Sequence, residues 1–534
     1  MPDVDVVVVG AGFSGLYMLH KLRQLGFSAR AFEVGDGVGG TWFWNRYPGA
    51  RCDTESMEYS YGFDDDLQQE WHWTERYATQ PEIERYANHV ADRYDLRRDI
   101  TFETRVTSAT FDETDHTWRV QTDRGDDVVA RYVVFATGCL SSANMPDFEG
   151  ADTFAGEKYH TGRWPKEGVD FTGKRVAVIG TGSSAIQSIP IIAEECAELT
   201  VFQRTANYAV PAWNQPLAPE DVADIKAHYN EFRAANRTMG AAFGSRLPEG
   251  TMKNVADCTD EEIRAELDKR WEYGGLGFLA GFLDVLLTPS ANEVVAEYVR
   301  EKIRETVKDP KVAELLSPQQ VLGCKRLCVD TGYYATFNNE HVHLVDINAT
   351  PIQRITPAGV ETSEREYPVD VIVFATGFDA MTGALLSIDI KGRDGVSLRD
   401  AWHAGPRTYL GLGIVGFPNM FTITGPGSPS VLTNMMVSIQ QHVDWIGDCL
   451  SYLRANKVAT IEAEQAAQDA WVDYVNMIAA FTLFPTCNSW YLGANVPGKT
   501  RVFMPLLGYP PYEEKCKDVA SKHYEGFVLA PSSS

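Results

Sequence analysis

The sequence lacks the features that mark nucleic-acid-binding and membrane-spanning proteins. Lys and Arg number only 48 against 73 Asp and Glu, which gives a formal charge of −25 over 534 residues. Because so acidic a surface repels phosphate backbones, nucleic acid is excluded as a partner. The longest apolar stretch, residues 274–287, is shorter than the ~20 residues that span a bilayer. We expect no membrane span and a buried helix there, with a membrane-surface or substrate-access patch as the alternative.

Cysteine is scarce and has no recognisable pattern. Nine cysteines are spread along the chain without a Cys-x-x-Cys pair, and the first residues carry no basic segment of the secretory type. We therefore expect a cytoplasmic protein with reduced thiols and no metal site. Cys324 and Cys328 are the nearest pair, but their spacing matches no redox motif, which disfavours a disulfide reductase.

The composition is that of an ordinary globular protein, with 44% hydrophobic and 23% charged residues. At roughly 150 residues per domain, the length corresponds to about three or four domain-sized units. We expect a monomer, and an oligomer stays open.

A glycine motif follows the first apolar run. Residues 4–9 are almost all valine, which is typical of a strand buried on both faces. Gly10, Gly12 and Gly15 follow in the spacing Gly-x-Gly-x-x-Gly, and an amphipathic helix pattern comes next. In such a motif the glycines allow a tight turn, close approach to a pyrophosphate and close helix–strand packing. Glu33, at the end of the next strand, can accept hydrogen bonds from a ribose 2′-hydroxyl, which indicates FAD.

The same pattern recurs with one informative change. The apolar residues 175–179 precede Gly180, Gly182 and, at the third position, Ala185. Aligning the two motifs places Gln203 opposite Glu33, with Arg204 next to it. A 2′-phosphate is repelled by a carboxylate and held by a guanidinium, so the second motif indicates NADPH.

Two further strands suggest how the chain passes between these units. Residues 132–138 and 371–377 are both predicted to form an apolar strand ending in Ala-Thr-Gly.

The middle of the chain is mostly helical, with capping boxes at Thr259/Glu262 and Ser290/Glu293. We predict an α/β fold with two Rossmann-like dinucleotide-binding domains, for FAD and NADP, and a helical insertion. The predicted boundaries are 1–145 and 386–534 for the FAD domain, 146–215 and 326–385 for the NADP domain, and 216–325 for the insertion.

Three further motifs resemble a known family. The segment Phe154-x-Gly156-x-x-x-His160-x-x-x-Trp164-Pro165 matches the fingerprint of type I Baeyer–Villiger monooxygenases. A second family pattern is also present, in Gly39-Gly40-Thr41-Trp42, Tyr47-Pro48-Gly49 and Asp53. Residues 425–430 give a particular likeness to the phenylacetone and steroid enzymes of this family. The resemblance covers essentially the whole chain.

The resemblance implies an NADPH- and O₂-dependent flavin monooxygenase that converts ketones to esters or lactones. FAD and NADPH are the implied cofactors, and a C4a-peroxyflavin is the implied oxidant. The protein must then stabilise negative charge on the reacting oxygens and exclude water. By resemblance, Arg326 supplies the positive charge and Asp53 pairs with it. His160 is expected to act at a hinge between domains and not in proton transfer, although a histidine can titrate near neutral pH.

The resemblance and the glycine motifs together assign the binding residues. For FAD they are Gly10, Gly12, Gly15, Glu33, Gly40, Thr41, Trp42, Asp53 and Val106. For NADP they are Gly180, Gly182, Ser183, Ser184, Gln187, Arg204, Thr205, Lys325, Arg326 and Trp490, the last on a loop that folds over the nicotinamide. Ser430, Val431, Leu432 and Met435 are expected to line an apolar ketone pocket.

Two other functions compete with this interpretation. A flavin-containing monooxygenase would oxidise the sulfur or nitrogen of small molecules, but Trp164-Pro165 is typical of the ketone-oxidising branch. A flavoprotein that only transfers electrons or senses redox state would need neither Arg326 and Asp53 nor the fingerprint around His160. The sequence does not distinguish aryl, steroid and large cyclic ketones.

Overall fold

The computed structural model describes residues 2–494 and 506–531. In chain order the strands are β1 (Val4–Val9), β2 (Ala29–Phe32), β3 (Ile100–Thr101), β4 (Val106–Asp112), β5 (Thr117–Thr122), β6 (Asp127–Phe135), β7 (Glu157–His160), β8 (Arg175–Ile179), β9 (Glu198–Gln203), β10 (Ala209–Pro211), β11 (Cys328–Asp330), β12 (Val342–Asp346), β13 (Ile352–Thr356), β14 (Gly359–Thr362), β15 (Glu366–Pro368), β16 (Val371–Phe374), β17 (Asp389–Lys391), β18 (Met420–Thr422), β19 (Val458–Ala463) and β20 (Phe527–Pro531).

The α-helices are α1 (Phe13–Gln24), α2 (Thr41–Trp44), α3 (Asp65–Glu70), α4 (Gln80–Arg93), α5 (Ser183–Glu195), α6 (Pro219–Ala227), α7 (Tyr229–Thr238), α8 (Asp260–Tyr273), α9 (Pro289–Thr306), α10 (Pro310–Leu316), α11 (Tyr333–Thr336), α12 (Gly383–Leu386), α13 (Leu398–Ala401), α14 (Met435–Ala455), α15 (Gln465–Ala480) and α16 (Tyr509–Ser521). None of the described helices is long and apolar enough to cross a membrane.

The first sheet is built from both ends of the chain. Its strand order is β17-β4-β5-β6-β1-β2-β3, and β18 also pairs with β6. The valine strand β1 lies parallel between β2 and β6, and its residues Val6 to Val9 are buried, as a strand covered on both faces requires. Helix α1 packs on this sheet, and α14 packs on α1. A late segment, β18, therefore completes a sheet that the first residues begin.

The second sheet is wholly parallel. Its order is β12-β9-β8-β16-β7, so the returning strand β16 lies directly beside the strand that precedes the second glycine motif. Helix α5 packs on this sheet. Five α-helices, α6 to α10, stand between β10 and β11. The predicted fold class, two Rossmann-like units with a helical insertion, is confirmed.

Two local predictions in the insertion have different outcomes. Thr259 and Glu262 form the predicted capping box at α8. At α9 the N-cap is Thr288, whose side chain accepts from the Ala291 backbone N–H, so the predicted box at Ser290 is wrong. Pro289 explains the shift, because proline is favoured at the first helical position and fixes where the helix begins.

The apolar stretch 274–287 is not the buried helix we predicted. Only Leu276–Ala280 are helical, as a short 3₁₀ segment, and the rest forms bends and turns. Phe278, Phe282 and Val285 are buried, but Leu283 and Leu287 expose 53% and 49% of their surface. Glycines 274, 275 and 277 break the helix, since glycine is unfavourable in helices and two of these have positive φ. The segment is therefore an irregular, partly exposed apolar stretch, and the alternative of a membrane-surface or substrate-access patch stays a prediction.

Candidate active site

The first glycine motif forms a backbone cradle at the start of α1. Gly10 has a φ of +104°, and a Cβ there would lie 2.6 Å from the Ala136 carbonyl oxygen. A Cβ on Gly15 would lie 2.0 Å from the Gly10 carbonyl oxygen. Gly12 faces Gly40 so closely that a Cβ on Gly40 would come within 2.8 Å of the Gly12 Cα. Two loops that have only glycine at their contact therefore meet at a helix N-terminus, which suits binding of a pyrophosphate.

Glu33 closes one side of this cradle. Its two carboxylate oxygens accept hydrogen bonds from the Ala11 and Gly35 backbone N–H groups, each at 2.8 Å. Burial raises the pKa of Glu33, against the lowering effect of those two N–H groups. A cavity of about 280 Å³ opens beside it, lined in part by Val34, Gly35 and Phe43. The carboxylate oxygens keep further lone pairs for hydroxyl donors, so the residues present fit the adenosine half of FAD.

The other residues predicted to hold FAD extend from this cradle. Thr41 and Trp42 begin α2 directly after Gly40, and the Trp42 indole N–H donates to the Tyr59 hydroxyl at 3.1 Å. Val106 is buried at the start of β4. The segment before Val106 runs beside Glu33, whose carbonyl oxygen accepts from the Thr104 N–H at 2.9 Å.

The second motif repeats the first turn but leaves more space. Gly180 has a φ of +112°, and a Cβ there would lie 2.4 Å from the Ala375 carbonyl oxygen. This matches the contact between Gly10 and Ala136, so both Ala-Thr-Gly strands end against a glycine turn. A Cβ on Gly182 would meet nothing within 4 Å. The open space lies at the N-terminus of α5, beside Ser183 and Ser184, where phosphate oxygens can be bound.

Two cations lie close together near this motif. Arg204 follows β9 and is exposed, while Lys325 is half-buried. Burial lowers the pKa of Lys325, and the positive charge of Arg204 lowers it further. Within residues 2–494 and 506–531, neither cation has an acidic partner within ion-pairing distance. Thr205 lies beside them, and its carbonyl oxygen accepts from the Thr181 hydroxyl at 2.8 Å. Like charges held together without an acid fit a ligand phosphate.

Arg326 and Asp53 form a bidentate ion pair. Arg326 Nε donates to Asp53 Oδ2 at 2.5 Å, and Nη2 donates to Oδ1 at 2.8 Å. Its remaining nitrogen, Nη1, donates to the Val431 carbonyl oxygen at 2.7 Å. Burial alone would lower the pKa of Arg326, but the Asp53 carboxylate outweighs this and holds the pKa well above its usual value. The guanidinium is therefore fixed in place and permanently charged.

The predicted ketone-pocket residues lie next to this pair. Val431 is buried in a cluster with Cys139, Ala380, Met381, Phe484 and Tyr491, and Leu432, Met435 and Trp490 pack against that cluster. Ser430 is fully buried, and its hydroxyl donates to the Thr424 carbonyl oxygen at 3.2 Å. Because Arg326 donates a hydrogen bond to the Val431 carbonyl oxygen, the cation lies directly against this apolar cluster.

Tyr491 is a contact of Arg326 that the sequence did not indicate. It is buried beside Trp490, with ring centroids 4.3 Å apart. Burial raises the pKa of Tyr491 to about 12, while the charge of Arg326 and a hydrogen bond to it act in the opposite direction. The only signal in the sequence was that Tyr491 directly follows Trp490, which is predicted to lie on the loop over the nicotinamide. Adjacency alone does not show whether a residue contacts the site or only packs in the core.

His160 ends β7, the strand by which the chain enters the second sheet. It lies beside the end of β16, the strand by which the chain leaves that sheet. Its Nδ1 accepts from the Gly162 N–H at 2.9 Å, and its Nε2 lies 3.3 Å from the Thr376 hydroxyl. That hydroxyl donates to the Asn144 carbonyl oxygen at 2.6 Å. Asn144 and Thr376 belong to the two connections between the sheets, so His160 joins them, as a hinge residue would.

The buried His160 leads to a prediction about stability. Burial lowers its pKa to about 4 from an ordinary 6.5. Between these values the unfolded state binds more protons than the folded state, so stability falls as the pH falls through that window. We expect His160→Gln to reduce the loss in the free energy of unfolding between about pH 7 and about pH 5, measured by chemical denaturation. His442, whose pKa is lowered to about 3, stays in both proteins as an internal control, and equal losses would contradict the prediction.

The prediction that all cysteines are reduced thiols is wrong at two positions. Cys324 and Cys487, 163 residues apart in sequence, form a disulfide with their Cα atoms 5.7 Å apart. Cys324 is therefore not paired with Cys328, whose sulfur lies 3.3 Å from the Ser183 hydroxyl. No spacing rule could reveal this pair, because only the folded chain brings the two segments together.

The disulfide can be tested by counting the cysteines that react with an alkylating reagent. Alkylation of the denatured protein without reductant should label the seven free cysteines out of nine, and reduction should make all nine reactive. Mass spectrometry measures the number of labels. In Cys487→Ser, every remaining cysteine should be labelled without reductant. Nine labels on the unreduced wild type would contradict the disulfide.

Gln187, which the sequence also assigns to NADP, lies one turn along α5 from Ser183. Its amide is buried between α5 and the loop 47–53, where it bonds to Tyr47 and Arg51. The structure thus brings Arg326, Asp53 and the pocket residues together, and it gathers Gly180, Ser183, Arg204 and Lys325 around a second region. Gln187 connects to the loop that carries Asp53.

Known proteins resemble the whole chain. The family model described as pyridine nucleotide-disulphide oxidoreductase matches residues 7–253. A Baeyer-Villiger monooxygenase of Pseudooceanicola batsensis is 42% identical over 98% of this chain and 96% of its own length.

Solved structures agree with the sequence comparison. An oxidised steroid monooxygenase bound to NADP superposes with a TM-score of 0.94 at 52% identity, covering 99% of this chain and 100% of that one. A complex of OTEMO with FAD and NADP gives a TM-score of 0.95 at 42% identity, with 99% and 100% covered.

Proposed function

The chain belongs to the Baeyer–Villiger monooxygenases, FAD- and NADPH-dependent oxidoreductases, and from this premise we propose that it converts hydrophobic ketones to esters or lactones with dioxygen as the second substrate. The contact that supports this most directly is the triple anchoring of Arg326, which holds two oxygens of Asp53 and the Val431 carbonyl. It puts a permanent positive charge against the apolar residues around Val431. A flavoprotein that only transfers electrons would need neither Arg326 nor Asp53.

Each of the two Rossmann-like units has a separate binding role in this proposal. The cradle of Gly10, Gly12 and Gly15, together with Glu33, Gly40, Thr41, Trp42 and Val106, holds FAD. Gly180, Gly182, Ser183, Ser184, Arg204, Thr205 and Lys325 hold NADPH. When bound, NADPH supplies a hydride and FAD delivers the electrons to dioxygen.

Arg326 performs the electrostatic part of the chemistry. Negative charge develops on oxygen as a ketone carbonyl is attacked, and a fixed cation in a partly dehydrated site stabilises it. A guanidinium suits this role because it keeps its proton at every working pH and presents several N–H donors in a plane. Asp53 orients that plane and keeps the charge in place. The buried residues around Val431 keep water away from the reacting oxygens.

The residues predicted to line the ketone pocket favour an apolar ketone. Val431, Leu432 and Met435 are apolar, and Met381, Phe484 and Tyr491 add further apolar surface. Oxidation of sulfides or amines needs the same oxidant, but it forms no oxyanion from a carbonyl oxygen that a fixed cation would stabilise. The Arg326–Asp53 pair therefore favours ketone oxidation over oxidation of sulfides or amines.

A panel of aryl, steroid and large cyclic ketones tests the proposal. The FAD-loaded protein is incubated with NADPH and air, and products are identified by mass spectrometry. We expect an ester or lactone, one oxygen atom heavier than the ketone, from at least one member. A matched thioether panel serves as the comparison. Sulfoxides without any ester, or NADPH consumption without any organic product, would overturn it.

A further inference from the structure

A single buried amide connects the nucleotide-binding helix α5 to the loop that carries Asp53. Gln187 stands one turn after Ser183, and its Oε1 accepts from the Tyr47 hydroxyl at 2.7 Å. Its Nε2 donates to the Arg51 carbonyl oxygen at 3.1 Å. Arg51 is two residues before Asp53. The amide is only 8% exposed, so water cannot easily replace these bonds.

The backbone of the same loop lies directly on α5. Gly49 has a φ of +78°, and a Cβ there would lie 2.2 Å from the Gln187 carbonyl oxygen. Only glycine allows the loop to approach this closely. The loop 47–53 is therefore held against Gln187 by backbone contact and by hydrogen bonds from both ends of the side-chain amide.

The first turn of α5 also touches the two other parts of the site. The Ser183 hydroxyl lies 3.3 Å from the sulfur of Cys328, two residues after Arg326. The Ser184 hydroxyl lies 3.1 Å from that of Thr161, which follows His160. One helix end thus contacts the Arg326 segment, the segment of His160 and, through Gln187, the loop of Asp53.

We propose that Gln187 is a positioning residue that couples phosphate binding at the N-terminus of α5 to the geometry of the Arg326–Asp53 pair. When the helix end shifts on binding NADPH, Gln187 carries the shift to Arg51 and so to Asp53. The coupling rests on the proposed function, since it assumes that α5 receives NADPH phosphates and that the pair serves ketone oxidation. In this proposal Gln187 acts on the reaction through Asp53.

Gln187→Met tests this coupling because methionine keeps the volume but removes both amide bonds. We expect ester formed per NADPH oxidised to fall by about tenfold, within the ~100-fold that an ångström of misplacement can cost. The Kd for NADPH, measured in parallel, separates this loss from any loss of nucleotide binding. Tyr47→Phe, which removes one bond and keeps the ring, should give a smaller fall. Gln468→Met is the matched control: its amide is equally buried, but its oxygen accepts from the Val415 N–H on another element.

A double-mutant cycle separates positioning from general stability. If Gln187 acts through Asp53, Gln187→Met should add nothing to the loss of ester formation in Asp53→Ala. An equal further loss in that background would overturn the proposal, as would a Gln187→Met protein that couples NADPH to ester as the wild type does. A wild type that forms no ester from any ketone would instead overturn the proposed function. If Gln187→Met does not fold, the same cycle with Tyr47→Phe decides.

Discussion

Arg326→Ala should abolish ester formation while leaving flavin reduction by NADPH largely intact. Removing one fixed donor from a site of developing negative charge typically costs ~100- to 1,000-fold in rate, and Arg326 is a full charge with three hydrogen bonds. We therefore expect a loss of about a thousandfold in turnover of ketone to ester. The measurement pairs product analysis with stopped-flow bleaching of the flavin absorbance.

Arg326→Lys is the matched control for this prediction. Lysine keeps the charge but cannot make the bidentate bonds to Asp53 and the third bond to Val431 together. We expect an intermediate rate, well above that of the alanine variant and well below that of the wild type. FAD content and flavin bleaching check that each variant is folded and binds both cofactors. Ester formation at the wild-type rate in Arg326→Ala would contradict the assignment.

Arg204→Ala should weaken NADPH binding strongly and NADH binding little. Charge-assisted hydrogen bonds to a phosphate contribute ~1.5–3 kcal/mol, which corresponds to a roughly 10- to 100-fold rise in KM for NADPH. Lys325 stands next to Arg204 and lacks an acidic partner among the described residues, so Arg204→Ala with Lys325→Ala should nearly eliminate the preference for NADPH. Initial rates with both nucleotides give the ratio.

The matched control is Arg175→Ala on the same sheet. Arg175 precedes the second glycine motif but is paired with Asp370 at 2.8 Å, so its loss should leave the preference for NADPH unchanged. An unchanged preference in Arg204→Ala would instead place the 2′-phosphate site elsewhere. Lowered rates with both nucleotides by the same factor would show damage to the fold and not to phosphate recognition.

The sequence predicted those parts of the molecule that depend on neighbours along the chain. The valine strand, the turn at Gly10 and the turn at Gly180 are local, because a strand, a glycine turn and a helix follow each other directly. The two Ala-Thr-Gly strands were recognisable by their identical ends, and they meet Gly10 and Gly180 in the same way. The fold class followed from these repeats.

Contacts between distant segments could not be predicted in this way. Arg326 and Asp53 are 273 positions apart, and only the family motifs distinguished them from the other charged residues. Cys324 and Cys487 carry no spacing signal at all. The assignment of Gln187 to NADP stays a prediction, and the bonds of its amide to Tyr47 and Arg51, 140 and 136 positions away, carry no signal in the sequence. The apolar composition of residues 274–287 predicts a buried helix, but their glycines break it.

Transfer of an oxygen atom from dioxygen to a ketone is the central claim, and isotopically labelled dioxygen tests it most directly. The FAD-loaded protein is given NADPH, a ketone that it accepts and labelled dioxygen in ordinary water, and the product is analysed by mass spectrometry. We predict an ester or lactone that carries one labelled oxygen atom, formed in step with NADPH oxidation. Unlabelled product, or labelled hydrogen peroxide in place of an ester, would contradict it.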